Sequence, residues 1–401
     1  MQLLTSHEFH AVKVGNHYYN PGYNRYEEFS LFLDAFDRVV LIVRCGEAET
    51  AEPGWGRIDG PGVEVMPIQD FPRRPIRPMR LLADMRRLWR VARMADAAIF
   101  RFPGWMPFVP WLSRLIAGMP TAAQVVGDPM LSLRPKRLLG IPGSGWMLGW
   151  AMRLFTRLQV GLCDSARYVT ERHLQGVFPP RSPRRQWGCS NVRLADSLFH
   201  ETVRDFSQRP LKIASVGVLI PLKGYKYLLE ALARVRQNRD VVLTIIGGGE
   251  LRGPLEEMAR DLDISDAVTF AGQVTWGPDL FAYLDNAHLF VMPTLTEGLP
   301  RAVIEAMARG LPAISTDVGG IPELLQKQCL AQPGDSQGLA ERIERFVCDP
   351  DFLAAQSARN YRRAQDFRWE VILGRKRDFW RTIIERAGVW RKRSRSSTVC
   401  P

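Results

Sequence analysis

The sequence lacks several features that would place it in a specialised class of protein. Its six cysteines lie far apart with no Cys-X-X-Cys pair, which argues against a disulfide framework and a cysteine-based metal site. The longest uncharged stretch, Leu138–Met152, has only fifteen residues, including four glycines and one proline, so it is too short and too broken to span a bilayer. No signal-peptide pattern opens the chain. We therefore expect a folded cytoplasmic protein with free thiols.

Acidic residues are also scarce relative to basic ones. Lys and Arg number 54 against 42 Asp and Glu, giving a formal net charge of +12. This excess favours a polyanionic partner, such as a phosphate-bearing substrate, nucleic acid or an anionic membrane. No helix-turn-helix, zinc-finger or RNP-type pattern is present, so nucleic acid is not the expected partner. The 401 residues, 46% of them hydrophobic, are enough for two or three ordinary domains.

In the second half, β-type apolar runs alternate with segments of helical period, as in βαβ units of a parallel sheet. The predicted strands are Lys212–Val218, Val241–Ile246, Val268–Phe270, Leu289–Met292 and Ala313–Thr316. The predicted helices are Gly224–Arg236, Leu251–Leu262, Pro278–Asp285 and Pro300–Arg309. The pattern predicts a Rossmann-like domain.

The first half alternates in the same way, with boundaries blurred by proline and arginine clusters. Its predicted strands are Val39–Arg44, Ala97–Arg101 and Thr121–Val126, and its predicted helical segments are Tyr26–Phe36, Arg80–Met94 and Tyr168–Leu174. We expect an N-terminal domain (residues 1–195), a C-terminal domain (196–365) and a closing segment (366–401) whose basic tail from Arg391 is disordered. The predicted fold class is α/β.

Ligands of open α/β sheets bind beyond the carboxyl ends of the strands, so the loops there are the first place to look for chemistry. The loop after the first C-domain strand brings Lys223 to a helix N-terminus, where it is either a diphosphate ligand or a solvated lysine. The next loop contains Gly247, Gly248 and Gly249, which let backbone N–H groups approach a ligand or simply form a turn. Neither GxGxxG nor GxxxxGK[ST] is present, which disfavours a nicotinamide-dependent dehydrogenase or a P-loop protein.

A third loop carries two glutamates around a helix N-terminus. Glu297 precedes Gly298 and Leu299, and Glu305 follows inside the helix. Carboxylates accept hydrogen bonds from sugar hydroxyls, while the backbone N–H groups between them suit a diphosphate. The pattern favours a sugar nucleotide, the alternative being a capping glutamate and a solvated helical one.

From Gly217 to Glu323 the sequence resembles the donor-binding domain of the GT-B retaining glycosyltransferases of family 4, whose signature is two glutamates separated by seven residues, here Glu297 and Glu305. The segments 270–274 and 317–323 extend the similarity. The resemblance implies two Rossmann-like domains facing each other across a cleft, with C-terminal helices that return to the N-terminal domain. It also implies sugar transfer from a nucleotide diphosphate sugar, a UDP- or GDP-sugar, with retention of configuration and with no metal or other cofactor.

Residue roles follow from the same resemblance. It implies that Glu297 accepts hydroxyls of the donor sugar, that Glu305 accepts the ribose hydroxyls and that Lys223 holds the diphosphate. The other implied donor-side residues are Gly217, Gly248, Gln273, Val274, Gly298, Leu299 and Pro300.

Two positions depart from the family pattern. Val218 stands where relatives carry an arginine that assists the lysine. The N-domain loop that carries a histidine in relatives has none here, and Asp128 is our candidate for the polar, catalytic group in that place. An Asp before Pro is equally typical of a turn. On the acceptor or diphosphate side the candidates are Gly22 and Arg25, with His7, His10 and His17 kept open.

The segment Arg73–Met94 predicts a basic amphipathic helix. Together with Trp105, Phe108, Trp111, Trp146 and Trp150 it is typical of a surface that contacts anionic lipid, the alternative being a core-packing helix with a solvated arginine face.

We therefore expect a glycosyltransferase of bacterial-type surface glycan biosynthesis, acting on a lipid-linked or polysaccharide acceptor at the inner face of the plasma membrane. A non-catalytic GT-B scaffold that binds a sugar nucleotide and a phosphorolytic enzyme of the same fold are the alternatives.

Overall fold

The computed structural model describes residues 1–22, 24–70, 78–133, 143–200 and 204–397. The strands of the N-terminal domain are β1 Gln2–Val14, β2 His17–Asn20, β3 Arg38–Glu47, β4 Gly56–Arg57, β5 Val63–Gln69, β6 Ala97–Phe102, β7 Ala122–Val125, β8 Ser165–Tyr168 and β9 Gln186–Gly188. Its helices are α1 Tyr26–Ser30, α2 Pro78–Met94, α3 Phe108–Ile116, α4 Pro129–Leu133, α5 Ser144–Leu162 and α6 His173–Val177.

The strands of the C-terminal domain are β10 Leu211–Val216, β11 Val241–Ile246, β12 Val268–Gly272, β13 Leu289–Met292, β14 Ala313–Thr316 and β15 Leu330–Ala331. Its helices, with those that close the described chain, are α7 Tyr225–Arg236, α8 Arg252–Asp261, α9 Pro278–Asp285, α10 Arg301–Ala308, α11 Ser336–Cys348, α12 Pro350–Ala364 and α13 Trp369–Ser397.

Both sheets are built on parallel pairing. The C-terminal sheet has the order β12-β11-β10-β13-β14-β15 and all of its pairs are parallel. In the N-terminal sheet the parallel order is β5-β3-β1-β6-β7-β8-β9, and β2 and β4 extend it by antiparallel pairing from β1. In each sheet the direction in which successive strands are added reverses once, between β10 and β13 in the C-terminal sheet and between β1 and β6 in the N-terminal sheet. Such switch points open a crevice beyond the strand ends. The predicted α/β class with two Rossmann-like domains is confirmed.

Side chains on successive strand residues point to opposite faces, so each face of the N-terminal sheet has its own core. Leu4 and Ile42 belong to one buried cluster and Leu3 and Leu41 to the other. The second cluster also takes Phe379 from α13, so this last helix packs into the N-terminal domain. The C-terminal domain has one large cluster around its sheet.

A second contact between the domains is made by the carboxylate of Glu323. Glu323 accepts hydrogen bonds from the backbone N–H groups of Glu171, Arg172 and His173, at 2.6, 2.9 and 2.6 Å. Those residues lead into α6, whose first N–H groups have no partner within the helix. Glu323 of the C-terminal domain therefore accepts from the free N–H groups at the start of an N-domain helix, and this contact fixes one domain against the other.

Three predictions of secondary structure were wrong. Tyr168–Leu174 is not a helical segment, because Tyr168 ends strand β8, buried between β7 and β9, and α6 begins only at His173. Tyr26–Phe36 is broken into α1 and a 3-10 turn at Leu31–Asp34. The basic tail is helical as far as Ser397, since α13 continues through it and Arg391 forms an ion pair with Asp96.

Candidate functional site

A cavity of about 880 Å³ lies between the two domains at the switch point of the C-terminal sheet, and we name it the donor pocket. The C-terminal domain contributes the ends of β10, β11 and β13 and the start of α10. The N-terminal domain contributes Arg25, Glu27, Glu28, Asn191 and Arg193. The pocket is thus a cleft between domains, at the position where a doubly wound sheet binds its ligand.

Lys223 and Glu297 meet in this pocket. They follow β10 and β13, the two strands at the switch point, and they form a hydrogen-bonded ion pair. Both are half-buried, with 26% and 16% of the side chain exposed. The loop of Glu297 is fixed from behind, because a Cβ on Gly319, at φ +57°, would lie 1.9 Å from the Glu297 carbonyl oxygen. The structure brings the predicted cation and the first predicted carboxylate to one point.

Glu305, the second predicted carboxylate, lies deeper, on α10. It is 6% exposed, and its Oε1 accepts a hydrogen bond of 3.0 Å from Nε1 of Trp276. Burial raises the pKa of Glu305, while the Trp276 N–H and Arg301 act in the opposite direction. Trp276 is a pocket residue that the sequence analysis missed, because nothing in the spacing links it to Glu305.

The glycine-rich loop after β11 closes one wall of the pocket. A Cβ on Gly247, at φ +147°, would lie 2.0 Å from the carbonyl oxygen of Gly217. The two loops therefore touch backbone to backbone, which only glycine allows. Gly217, Gly248, Gln273 and Val274 all line the pocket as neighbours of this contact.

Of the residues around the start of α10, some line the pocket and others contact the N-terminal domain. Leu299 and Pro300 line the pocket. Gly298 does not; it faces the N-terminal domain, where a Cβ would meet the Val126 carbonyl oxygen at 2.6 Å. Leu299 also packs against the cores of both domains. The residues before α10 therefore line the pocket and also pack the C-terminal domain against the N-terminal domain.

Among the N-domain candidates, only Arg25 lines the donor pocket. Its guanidinium donates to the carbonyl oxygens of Gly22 and Gly54, both at 2.6 Å, so Gly22 lies behind it. Asp128 lies outside both cavities at the cleft. Its carboxylate accepts from the Met130 N–H at 3.0 Å and lies 3.3 Å from Arg153, which is the turn-forming role that an Asp before Pro also allows.

Other arginines reach the place where Val218 stands. Val218 lines the donor pocket with 45% of its surface exposed. Arg193 and Arg301 line it too, and Arg193 lies 3.5 Å from Glu28. Arg301 makes no ion pair with any residue that the structure describes. Arg301 is thus a cation of the pocket that no described carboxylate pairs with.

The three N-terminal histidines are separated by the fold. His7 lines a second, smaller cavity at the N-terminal sheet, where its Nδ1 lies 3.3 Å from the Arg101 guanidinium. Burial and the charges of Arg101 and Arg167 hold the pKa of His7 well below its ordinary value. His10 and His17 instead pair with Asp70 and Asp59, at 3.0 and 3.1 Å.

Within the described ranges, no group of three or more His, Cys, Asp or Glu side chains is arranged to hold a metal ion. Of the helices that the structure describes, none is long and apolar enough to cross a membrane.

Comparison with known proteins decides the family of the C-terminal domain. Residues 199–364 match the family described as "Glycosyl transferases group 1". The chain carries a glycosyl transferases group 1 domain. The matched residues of this domain include Lys223, Glu297, Arg301 and Glu305, four of the charged residues that line the donor pocket.

Individual proteins extend the similarity beyond that domain. Protein CapJ of Staphylococcus aureus is 23% identical over 380 residues, which is 93% of each chain. The amylovoran biosynthesis glycosyltransferase AmsK of Erwinia amylovora is 35% identical over 176 residues, but these cover only 41% of this chain and 42% of AmsK. The structure of HepE of Anabaena in complex with UDP superimposes with a TM-score of 0.66 at 17% identity, covering 95% of this chain and 100% of HepE. The fold of the whole chain is therefore GT-B.

Proposed function

We propose that this protein is a retaining glycosyltransferase that moves a sugar from a nucleoside diphosphate sugar to a lipid-linked or polysaccharide acceptor in surface glycan assembly. The observation that carries the proposal is the convergence of Lys223, Glu297 and Glu305 in one cleft of a glycosyl transferases group 1 domain. The similarity to AmsK, named for amylovoran biosynthesis, supports the class of pathway. The UDP complex of HepE supports a nucleotide donor.

The nucleoside diphosphate sugar would lie across the loops that follow β10, β11 and β13. Glu305 is buried next to the pocket and would accept the ribose hydroxyls, in competition with the indole N–H of Trp276. Gln273 and Val274 would line the base. Glu297 would accept hydroxyls of the donor sugar, since a carboxylate accepts from two hydroxyls at once.

Transfer breaks the bond between the anomeric carbon and the diphosphate oxygen, and the electron pair leaves with the diphosphate. The acceptor hydroxyl oxygen forms the new bond, and its proton passes to the departing diphosphate. Lys223 and the first N–H groups of α10 would stabilise the charge that develops on the leaving group. Arg301 would supply the second cation in place of the arginine missing at Val218.

The donor site can be tested by thermal unfolding with UDP, GDP, ADP and NAD. A ligand at a hundred times its dissociation constant adds about 2.7 kcal/mol to the free energy of unfolding. We expect one nucleoside diphosphate to raise the unfolding midpoint of the wild type and to have no such effect on Glu305→Ala. The control is Glu257→Ala, a change on helix α8 outside the pocket, which should respond like the wild type. Stabilisation by NAD alone, or by nothing, would contradict the proposal.

A second element of the proposal is contact with an anionic membrane. Residues 73–77 of the predicted basic surface lie outside the described residues. Within helix α2, Arg86, Arg87, Arg90 and Arg93 are exposed. Basic side chains near an anionic bilayer attract it by roughly 1 kcal/mol each.

Helix α5 adds an exposed apolar face to this surface. Trp146, Met147, Trp150, Leu154 and Leu158 recur at helical spacing and are 49–68% exposed. Helix α3 lies between α2 and α5, since Ser113 bonds to Trp89 and Phe108 contacts Phe155. Apolar side chains beside a row of arginines suit an interface with anionic lipid, and this supports a location on the inner face of the plasma membrane.

Vesicle cosedimentation tests this surface. We expect binding to vesicles that contain phosphatidylglycerol and much weaker binding to phosphatidylcholine alone. Trp150→Ser should reduce binding severalfold, whereas Tyr283→Ser, a similarly exposed aromatic residue on α9 of the other domain, should not. Equal partition onto both kinds of vesicle would exclude the electrostatic contact.

A further inference from the structure

A second cavity, of about 480 Å³, adjoins the donor pocket, and we name it the N-domain pocket. It lies at the switch point of the N-terminal sheet and is lined by residues of β1, β6, β7 and β8. The register of β1 shifts there between Ser6 and His10, so the residues between them leave the regular ladder and line the cavity. Glu28, Asn191, Arg193 and Arg301 line both pockets, which makes the two pockets continuous across the cleft.

The N-domain pocket has an excess of positive charge. Its cationic lining residues are Arg101, Arg167, Arg193, Arg301 and Lys376. Only two carboxylates, Glu8 and Glu28, line it with them. Both are already engaged, since Glu8 accepts from the Met106 N–H at 3.1 Å and Glu28 lies 3.5 Å from Arg193.

The three innermost cations bond to or contact neutral groups, and the charges of Glu8 and Glu28 act on Arg101, and that of Glu28 on Lys376, without forming an ion pair. Arg101 donates to the neutral ring of His7, and Arg167 donates to the Asn191 side-chain oxygen at 3.3 Å. Lys376 lies over the Trp369 ring, 4.7 Å from its centroid. Arg167 and Lys376 are only 6% and 8% exposed. None of the three forms an ion pair with another residue in the described part of the chain.

Such an arrangement is unfavourable for folding. Burial and the repulsion of Arg167 and Arg193 lower the pKa of Lys376 to about 7. Burial and the charge of Arg167 also lower the pKa of Arg101, and the charges of Glu28 and Glu8 oppose this only in part. A buried charge without a counter-ion destabilises a fold, and buried cations are normally found in ion pairs. The cluster is understandable if its counter-ion comes from a ligand.

We propose that the N-domain pocket binds a phosphoryl group of the acceptor, with Arg101, Arg167 and Lys376 as its ligands. The inference rests on the proposed function, since it names the chemistry of the acceptor for the same cleft. The pocket has five cationic and two anionic lining residues, and three of its cations form no ion pair, which matches a dianion better than the single charge of a carboxylate. Arginine forks and a lysine ammonium are also the usual donors to phosphoryl oxygens.

The position of the pocket fits an acceptor. The donor pocket has its own cation in Lys223, so the leaving diphosphate does not need the N-domain cluster. An acceptor held by its phosphoryl group in the N-domain pocket would extend past Arg193 and Arg301 toward Glu297. The two pockets would therefore bind two different substrates.

The test measures thermal unfolding in the presence of saturating UDP, so that the donor pocket is occupied, with and without glycerol phosphate at constant ionic strength. We expect glycerol phosphate to raise the midpoint of the wild type by a few degrees. The rise should be absent in Lys376→Met and in Arg167→Gln. It should persist in Lys226→Met, the same substitution at an exposed lysine of α7 that lines neither pocket. Arg167→Gln keeps the test decisive if Lys376→Met does not fold.

Three results would overturn the inference. One is a rise in Lys376→Met and Arg167→Gln equal to that in the wild type. Another is no rise in the wild type although UDP stabilises it, which leaves the proposed donor site intact. The third is a larger effect of glucuronate than of glycerol phosphate, which would assign the pocket to a carboxylate. Failure of UDP itself would instead count against the proposed function.

Discussion

The two pockets that meet in the cleft differ in the partners of their charged side chains. In the donor pocket each buried or half-buried charge has an internal partner: Lys223 pairs with Glu297, and Glu305 accepts from Trp276. In the N-domain pocket Arg101, Arg167 and Lys376 bond to or contact neutral groups, and the nearby carboxylates Glu8 and Glu28 form no ion pair with them. The lysine of the donor pocket is thus neutralised by a carboxylate of the protein itself, whereas in the proposed account a ligand anion would neutralise the three N-domain cations.

This contrast has a consequence for binding. A ligand of the donor pocket must compete with the Lys223–Glu297 pair and with the Trp276 hydrogen bond, so part of its interaction energy is offset. A phosphoryl group in the N-domain pocket would displace no ion pair of its three ligands. We therefore expect changes in the donor pocket to act mainly on rate and changes in the N-domain pocket to act mainly on stability.

The largest expected effect is on the rate of transfer. Lys223→Met removes the donor-pocket cation, and loss of such a contact to a developing charge costs on the order of a hundredfold in kcat. The measurement is release of the nucleoside diphosphate. Lys226→Met, on an exposed lysine of the same segment, is the control and should keep the wild-type rate. An unchanged rate in Lys223→Met would remove this lysine from the mechanism.

A smaller effect is expected where the domains are joined. Glu323→Ala leaves three backbone N–H groups, those of residues 171–173, without their acceptor. Unsatisfied groups of this kind cost about 1–3 kcal/mol, so the midpoint of urea unfolding should fall. Glu341→Ala, on an exposed glutamate of α11, should leave it unchanged. Equal midpoints for the two variants would mean that Glu323 does not help to hold the pockets face to face.

The folded protein should become more stable when a cation of the N-domain pocket is removed. The pKa of Lys376 is about 7 in the fold against 10.5 ordinarily, so the cost of burying its charge is fully present below pH 7. As pH rises from 7 toward 10.5 the folded protein holds fewer protons than the unfolded chain, and that cost disappears. Lys376→Met should therefore unfold at a higher temperature than the wild type at pH 6, with a smaller difference at pH 9. A difference that widens with pH would contradict the assignment.

The smallest effect concerns Glu305, where an internal hydrogen bond compensates part of the burial. Its pKa is raised by burial, so the folded state loses stability as pH rises above the ordinary carboxyl value. Glu305→Gln keeps an oxygen for Trp276 and removes the charge. We expect a slight gain in the unfolding midpoint at pH 7 and none at pH 4, measured by scanning calorimetry. A loss of stability at pH 7 would show that the ionised carboxylate is favoured by the fold.

The donor half of the cleft was largely predictable because its chemistry is local in sequence. Strands such as Leu289–Met292 end in short loops, and Glu297 and Glu305 follow within one strand–loop–helix unit. The fold then has only to bring neighbouring loops together at the switch point. Trp276 could not be found in this way, because its contact with Glu305 joins two separate loops.

The N-terminal half was harder because its pocket is assembled from distant segments. His7, Arg101, Arg167 and Lys376 come from β1, β6, β8 and α13, and none lies in a motif. The charged residues that the sequence offered there, Arg25 and Asp128, are engaged with local backbone and with Arg153. Only the return of α13 to the N-terminal domain brings Lys376 to the cluster.

The most direct test of the central claim is an NMR measurement of the anomeric proton during turnover of the nucleoside diphosphate sugar whose nucleotide stabilises the protein. The account predicts that the nucleoside diphosphate is released, that the transferred or hydrolysed sugar first appears with the configuration of the donor, and that Lys223→Met suppresses both signals. A wild-type protein that binds the nucleotide but leaves the sugar nucleotide intact, or that yields the opposite anomer, would contradict it.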